Sequence, residues 1–327
     1  MRGLASLEIC AGAGGQALGL EQAGFRHLAL VELDPHACAT LRTNRPYWNT
    51  IEDDLHQWNA ARYRGEVDLL AGGVPCPPFS KAGKQLGPDD DRDLFPQALR
   101  LIRQCQPSAV LLENVRGLMD ERFAEYRAAL DEELRAEDYE PFWRILQASD
   151  FGVPQLRPRT LLVALRPFLL PFWRWPSATK KAPPTVGEVL REEMAAGGWV
   201  GAAGWAARAN RIAPTLVGGS KRHGGPDLGP TRARRQWASL GVDGRRVVAL
   251  PPAPGFTGQP SLTVEMTARL QGFPADWRFA GGRTHAYRQI GNAFPPPVAR
   301  AVGLRLAAAI RAARRQASAD AKQQEAA

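Results

Sequence analysis

The sequence predicts an α/β protein, an open sheet built from βα units, with a smaller irregular region after it. Three observations lead there. An apolar run, Ala5 to Cys10, passes through Ala11-Gly12-Ala13-Gly14-Gly15 directly into a helical pattern. Short apolar runs then alternate with helical stretches as far as about residue 170, the rhythm of βα units. From Pro171 onward prolines, glycines, tryptophans and arginines replace that rhythm, and regular patterning returns only at Leu262. A chain of 327 residues can bury a sizeable core and can form more than one unit.

In order, Ala5–Cys10 is the first strand and Gln16–Ala23 the first helix. The spacing Gly12-x-Gly14-x-x-Ala17 between them fits a loose dinucleotide-type turn, and Glu32 follows 20 residues after Gly12, at the end of a second strand, His27–Val31. Such a turn either simply joins strand to helix or lets an adenosine cofactor approach the backbone, with Glu32 accepting from ribose hydroxyls. Asp34 or Pro35 starts a helix that runs to Asn44, and Pro46 blocks its continuation. Glu52-Asp53-Asp54 is an acidic cluster at a strand end, either a solvated turn or a contact for an adenine amino group.

Val67–Ala71 is the next buried strand, and it delivers the chain to Gly72-Gly73-Val74-Pro75-Cys76-Pro77-Pro78-Phe79-Ser80. Prolines on both sides of Cys76 remove backbone donors and fix φ, so the segment can neither extend the strand nor coil into a helix. The thiol is therefore presented rather than packed, whereas Cys10, Cys38 and Cys105 read as ordinary buried cysteines. The charged stretch Lys81–Arg92 reads as a mobile loop able to close beside it. A helix over Asp93–Gln104 leads into the strand Ala109–Leu112, which ends in Glu113-Asn114-Val115. A carboxylate at the end of a central strand needs a partner or a task. By the switch-point rule, the glycine loop, Glu32, Asp54 and Cys76 converge at the carboxyl ends of the strands.

Phe123–Asp138 is an amphipathic helix, with Phe123, Tyr126, Leu130 and Leu134 on one face. Pro141–Gln147 and Thr160–Leu165 are strands. Between them Gln155-x-Arg157-x-Arg159, if extended, puts three donors on one face, suited to a phosphate, a base edge or a carboxylate. A last helix follows Pro297 to about Arg315, and the tail from Gln316 is expected to fray.

Charge adds a partner class. The net charge is +9, and residues 171–262 hold 13 Lys and Arg against 5 Asp and Glu, so nearly all of the excess sits in under a third of the chain. Gly218-Gly219-Ser220-Lys221-Arg222-His223-Gly224-Gly225 and Thr231-Arg232-Ala233-Arg234-Arg235-Gln236-Trp237 combine small residues with cations, a composition that lets guanidinium groups reach DNA closely. An evenly spread charge would read as a solvated basic face; this one is clustered. Four cysteines without CxxC or His spacing argue against a metal site and a disulfide framework. No apolar run reaches membrane-spanning length and the N-terminus lacks a signal-peptide layout, so a cytoplasmic location is expected.

Taken in order, these segments resemble the DNA (cytosine-5) methyltransferase family over nearly the whole chain. Glu8 to Gly15 is similar to the family's S-adenosylmethionine loop and Glu32 to its ribose-binding acid. Pro75-Cys76, Glu113-Asn114-Val115 and Gln155-x-Arg157-x-Arg159 are similar to its three catalytic motifs. Arg269-Leu270-Gln271-Gly272-Phe273-Pro274 and Gln289-Ile290-Gly291-Asn292-Ala293 are similar to the two that follow its variable region. Glu8 and Cys10 stand where the family commonly has Asp and Phe, and Asp53-Asp54-Leu55 where it has Gly-Asp-Ile.

The resemblance implies a Rossmann-like S-adenosylmethionine-dependent methyltransferase sheet over residues 1–170, a target-recognition domain over 171–275 and a C-terminal return over 276–327. It implies Cys76 as nucleophile, Glu113 as the acid at the base, and Arg157 and Arg159 holding the cytosine. Cys10, Gly12, Gly14, Gly15, Glu32, Leu33, Asp54, Leu55, Pro75, Leu94, Asn292 and Ala293 would contact S-adenosylmethionine, with S-adenosylhomocysteine as product and no metal. Ser80, Lys81, Gln155, Ser220, Lys221, Arg222, Arg232, Arg234 and Arg235 would face double-stranded DNA. A monomer is expected, accompanied or not by a restriction endonuclease acting on the same site. An RNA cytosine methyltransferase, an NAD-dependent oxidoreductase and a non-catalytic DNA-binding protein are the other readings. The last two give the Cys76 and Glu113 motifs nothing to do.

Overall fold

The computed structural model describes residues 2–75, 93–219 and 225–325. Seven strands form one sheet in the order β3-β2-β1-β4-β5-β7-β6. They are β1 (Leu4–Ile9), β2 (Phe25–Glu32), β3 (Thr50–Glu52), β4 (Leu69–Gly72), β5 (Ala109–Val115), β6 (Glu140–Gln147) and β7 (Pro158–Leu165). β1 to β5 run parallel, and β7 runs antiparallel to both β5 and β6. The chain moves outward from β1 to β3, then returns to place β4 on the other side of β1. That reversal opens a crevice at the carboxyl ends of β1 and β4, where loops diverge to opposite faces.

Alternation along the strands feeds two cores. Val110 and Leu112 of β5 face a layer with Phe95, Leu101, Leu130 and Leu134, while Ala109 and Leu111 face a layer with Leu20, Val298, Leu306 and Ile310. The first layer is carried by α3 (Phe95–Cys105) and α4 (Ala124–Ala136), the second by α1 (Gly15–Gln22) and α10 (Pro296–Glu325). α1 and α10 approach closely because Gly19 has no side chain: a Cβ there would lie 2.5 Å from both the Ala299 Cβ and the Pro296 carbonyl oxygen. α2 (Pro35–Asn44) begins as the sequence predicts, with Asp34 accepting from the His36 and Ala37 N–H groups.

The region after Pro171 is more regular than its composition suggests. It holds α5 (Val186–Ala195), α6 (Ala202–Arg208), α7 (Thr231–Ala238) and α8 (Val264–Gln271), followed by α9 (Arg283–Asn292). Trp205 and Trp237 anchor its core, which also takes Met266 and Leu270 of α8 and Tyr287 of α9. A start signal for α5 is present in the chain: Thr185 and Glu188 form a reciprocal capping box. The C-terminal tail, expected to fray after Gln316, instead continues α10 to Glu325. Arg314 ties that helix to the buried Asp68 at the sheet, and the alanine-rich residues beyond keep a good helical propensity. Among the described residues no helix is long and apolar enough to cross a membrane.

Candidate active site

A cavity of about 370 Å³ occupies the crevice at the ends of β1, β2, β4 and β5. The turn after β1 builds one wall. Cys10, Gly12 and Gly14 all take positive φ, at 50°, 53° and 82°. At Gly14 a Cβ would press within 2.7 Å of Leu41, whereas at Gly12 it would meet nothing within 4 Å because that side of the turn is open to the cavity. A ligand can therefore lie directly against the Gly12 backbone.

Glu32, at the end of β2, is fixed by three backbone donors: the Gly12 N–H at 2.7 Å, Leu33 at 2.9 Å and Asp34 at 2.8 Å. Burial raises its pKa while those donors pull it down. Leu33, exposed, stands beside it on the rim, and Asp54 and Leu55 line the cavity from the segment after β3. Asp54 accepts from the backbone N–H of His56 at 2.9 Å and from its ring at 2.8 Å, which lowers the acid's pKa. Glu8 projects from β1 into the same space; it is 1% exposed, its Oε2 has no partner, and burial raises its pKa well above the ordinary carboxyl value. Burial likewise raises the pKa of the Cys10 thiol, which lines the cavity.

β4 brings Gly73 and Pro75 to the cavity. The Asn114 side chain donates to the Val74 carbonyl at 2.8 Å and so ties the two strand ends together. Leu94, on the rim, donates its N–H to the Pro75 carbonyl at 3.3 Å. Cys76, Ser80 and Lys81, the whole Lys81–Arg92 segment, and Ser220, Lys221 and Arg222 lie outside the described residues.

Glu113 lines the cavity from β5 and meets Arg159 of β7, the Arg159 Nε lying 2.7 Å from its Oε1. The antiparallel register makes this pair: Arg159 sits opposite Val115, two residues on from Glu113. Glu113 is buried and Arg159 nearly so, at 9% and 11% side-chain exposure. Desolvation raises the Glu113 pKa, and the Arg159 and Arg157 guanidinium groups offset part of that rise. Gly73 lies beside the carboxyl: a Cβ there would be in ordinary contact, 3.4 Å from Glu113 Oε2.

The expectation that Gln155, Arg157 and Arg159 present one row of donors needs correction. Arg157 is fully buried and donates to the carbonyls of Leu216 at 2.8 Å, Gly291 at 2.7 Å and Ala293 at 3.0 Å. Gln155, expected at the DNA, is equally buried; it donates to Leu270 O and Gln271 Oε1 and accepts the Leu216 N–H. Only Arg159 reaches the Glu113 carboxyl. The other two join the sheet to segments far along the chain, at Leu216, Leu270 and Gly291 to Ala293, because each finds backbone partners there that local sequence cannot reveal.

Asn292 and Ala293 line the cavity from the end of α9, and the Asn292 side chain donates to the Gly219 carbonyl at 3.3 Å. On α7, Arg232, Arg235 and Gln236 are exposed on one face while Trp237 is wholly buried; Arg234 is half-buried. Sequence reasoning missed Gln271, a buried member of the Gln155 network, and Arg288 and His285, which line the cavity. The signal for the last two was their spacing: both share a helical face with Asn292.

The description of the C-5 cytosine-specific DNA methylase family matches residues 4–225 and 228–308. The chain is 58% identical over 316 residues to the Type II methyltransferase M.NaeI of Lentzea aerocolonigenes, covering 95% of this chain and 76% of that one. It is 54% identical over 312 residues to the Type II methyltransferase M.NgoMIV of Neisseria gonorrhoeae, covering 94% and 98%. Its fold resembles that of the Entamoeba histolytica methyltransferase EhMeth, with a TM-score of 0.66 at 13% identity over 94% of this chain and 98% of that one. The motifs, the sheet and the match along nearly all of its length place the chain in the C-5 cytosine-specific DNA methylase family, as a DNA (cytosine-5) methyltransferase.

Proposed function

We propose that the cavity binds S-adenosylmethionine and that the enzyme methylates C5 of a cytosine turned out of duplex DNA. Several features support the cofactor. The cavity has the size of a small-molecule site. Gly12 leaves its floor open to close backbone approach, Glu32 is held where ribose hydroxyls can donate to it, and the acidic lining suits a sulfonium cation. When bound, S-adenosylmethionine supplies the methyl group that C5 of the activated base accepts, leaving S-adenosylhomocysteine.

The chain's own residues would activate the base. Cytosine C5 is a poor nucleophile, so the Cys76 thiolate, one residue after the cavity-lining Pro75, adds to C6 and pushes its electron pair toward C5. Glu113, whose pKa burial raises, gives N3 a proton or a strong hydrogen bond as that charge develops. Arg159 has its Nε on Glu113 and its Nη1 on the Pro158 carbonyl, so its guanidinium is fixed beside the acid for the cytosine O2. Loss of the C5 proton to a base and expulsion of Cys76 as thiolate then restore the aromatic ring. The Glu113–Arg159 pair on the cavity wall is the observation that carries this reading. A stacked base cannot reach that wall, and flipping it costs a few kcal/mol.

Residues 171–275 act on this reading as the target-recognition unit. The exposed face of α7, with Arg232 and Arg235, meets the DNA, helped by Arg234 and by Ser80, Lys81, Ser220, Lys221 and Arg222. Arg157 and Gln155 would act as positioning residues that fix Arg159 and that unit relative to the sheet. The relatives' description as Type II methyltransferases supports a restriction-modification role; on this reading the enzyme acts as a monomer and shields sites from a cognate endonuclease without stable contact.

Transfer of a labelled methyl group from S-adenosylmethionine to duplex DNA and to tRNA, followed by bisulfite sequencing of the product, tests the proposal. Label on duplex cytosine at one recurring sequence is expected. Label on tRNA alone would overturn the substrate.

A further inference from the structure

Six acidic side chains, Glu8, Glu32, Asp34, Asp53, Asp54 and Glu113, line the cavity, and among the described residues Arg288 is the only arginine or lysine that does so. α9 puts it there. His285, Arg288, Gln289 and Asn292 recur at three- and four-residue spacing, so they share the face turned toward the cavity. Three of the four are engaged. Gln289 accepts from Thr40 at 2.7 Å and donates to the Ala280 carbonyl at 2.9 Å, Asn292 donates to Gly219, and the His285 ring lies 4.2 Å from that of His36. Arg288 is half-buried, its Nε is shut off from solvent, and that N–H has no acceptor.

Arg288 thus lines the cavity with a desolvated guanidinium N–H that no group of the protein satisfies, and an acceptor brought by a ligand there would complete it as the side chain turns to meet it. Carboxylates match the guanidinium fork in shape and charge. S-adenosylmethionine carries two cationic centres, its sulfonium and its ammonium, and a single carboxylate. The acidic lining suits the cations and leaves Arg288 for the anion.

We propose that Arg288 holds the α-carboxylate of S-adenosylmethionine and thereby orients the amino-acid end of the cofactor. The inference rests on the cofactor reading given above. A DNA phosphate is the other oxyanion within the enzyme's chemistry, and the test separates the two.

Calorimetric titration would compare S-adenosylmethionine with its decarboxylated analogue, which differs only by that group, on wild type, Arg288→Ala and Arg288→Lys. Wild type is expected to favour the carboxylate-bearing ligand, and Arg288→Ala to shrink that ratio about tenfold or more, with Arg288→Lys in between. Taking the ratio within each protein removes any general loss of folding and the analogue's different net charge. An unchanged ratio in Arg288→Ala would overturn the assignment. So would an unchanged ratio joined to a shallower salt dependence of DNA binding, which would give Arg288 to a phosphate. A wild type that binds neither compound would remove the cofactor reading, and this inference with it.

Discussion

Glu8 and Glu113 are two carboxyls in one cavity, and their surroundings give them different properties. Glu113 has a guanidinium at 2.7 Å, while Glu8 has an oxygen with no partner at all. Replacing Glu113 by Gln keeps an acceptor for the Arg159 Nε and nearly the same volume, so stability should change little. Methyl transfer should fall roughly a hundredfold to ten-thousandfold, as for a lost general acid, measured by single-turnover labelling. For Glu8 the consequence is one of stability. Its folded-state pKa lies above the unfolded value, so its neutral form favours folding below the unfolded pKa, and that contribution is lost as pH rises through the folded one. Glu8→Gln should therefore be more stable than wild type at pH 8 and should lose that advantage near pH 4, as read by urea midpoints at both.

At the scale of elements, the segment before β7 acts as a clamp. Gln155, Arg157 and Gln271 exchange hydrogen bonds with backbone at Leu216, Leu270, Gly291 and Ala293, all buried together. Gln155→Ala would strand the Leu216 N–H, at a cost of about 1–3 kcal/mol in chemical denaturation. A residue that only touched DNA would leave the denaturation midpoint unchanged and weaken binding instead. The same elements mark what the chain makes legible. α2 could be bounded to within about a residue because Asp34 caps it and Pro46 follows it, both local signals. The strands around the crevice were equally plain, being apolar runs of the right length. Arg157 was not legible, because its direction is set by carbonyls more than a hundred residues away at Gly291 and Ala293. α5 to α7 were hidden by the glycines and prolines between them, although the Thr185–Glu188 box is a local start signal for one of them. Gly19 illustrates a packing constraint of the same non-local kind: Gly19→Val should destabilise the α1–α10 contact by about 1–3 kcal/mol through overpacking, seen as a lower thermal midpoint.

Across the whole molecule, acid and base are separated by function. The cavity is lined by carboxyls, whereas the net charge of +9 comes almost entirely from residues 171–262. Such a distribution attracts a polyanion to one region and a cationic small molecule to the other. If Arg232 and Arg235 each neutralise one phosphate, replacing both by Ala should lower the slope of log K against log salt by roughly 0.9 per contact. Unchanged slopes in a competent fold would move the DNA to another face.

The central claim is that a thiolate at Cys76 attacks a cytosine held by Glu113 and Arg159. Duplex DNA with 5-fluorocytosine at the methylated position cannot lose its C5 substituent, so the adduct cannot eliminate. Incubated with enzyme and S-adenosylmethionine, it should give a complex that survives denaturation and maps to the peptide containing Cys76. No such complex with wild type, or an undiminished one with Cys76→Ser, would contradict the account.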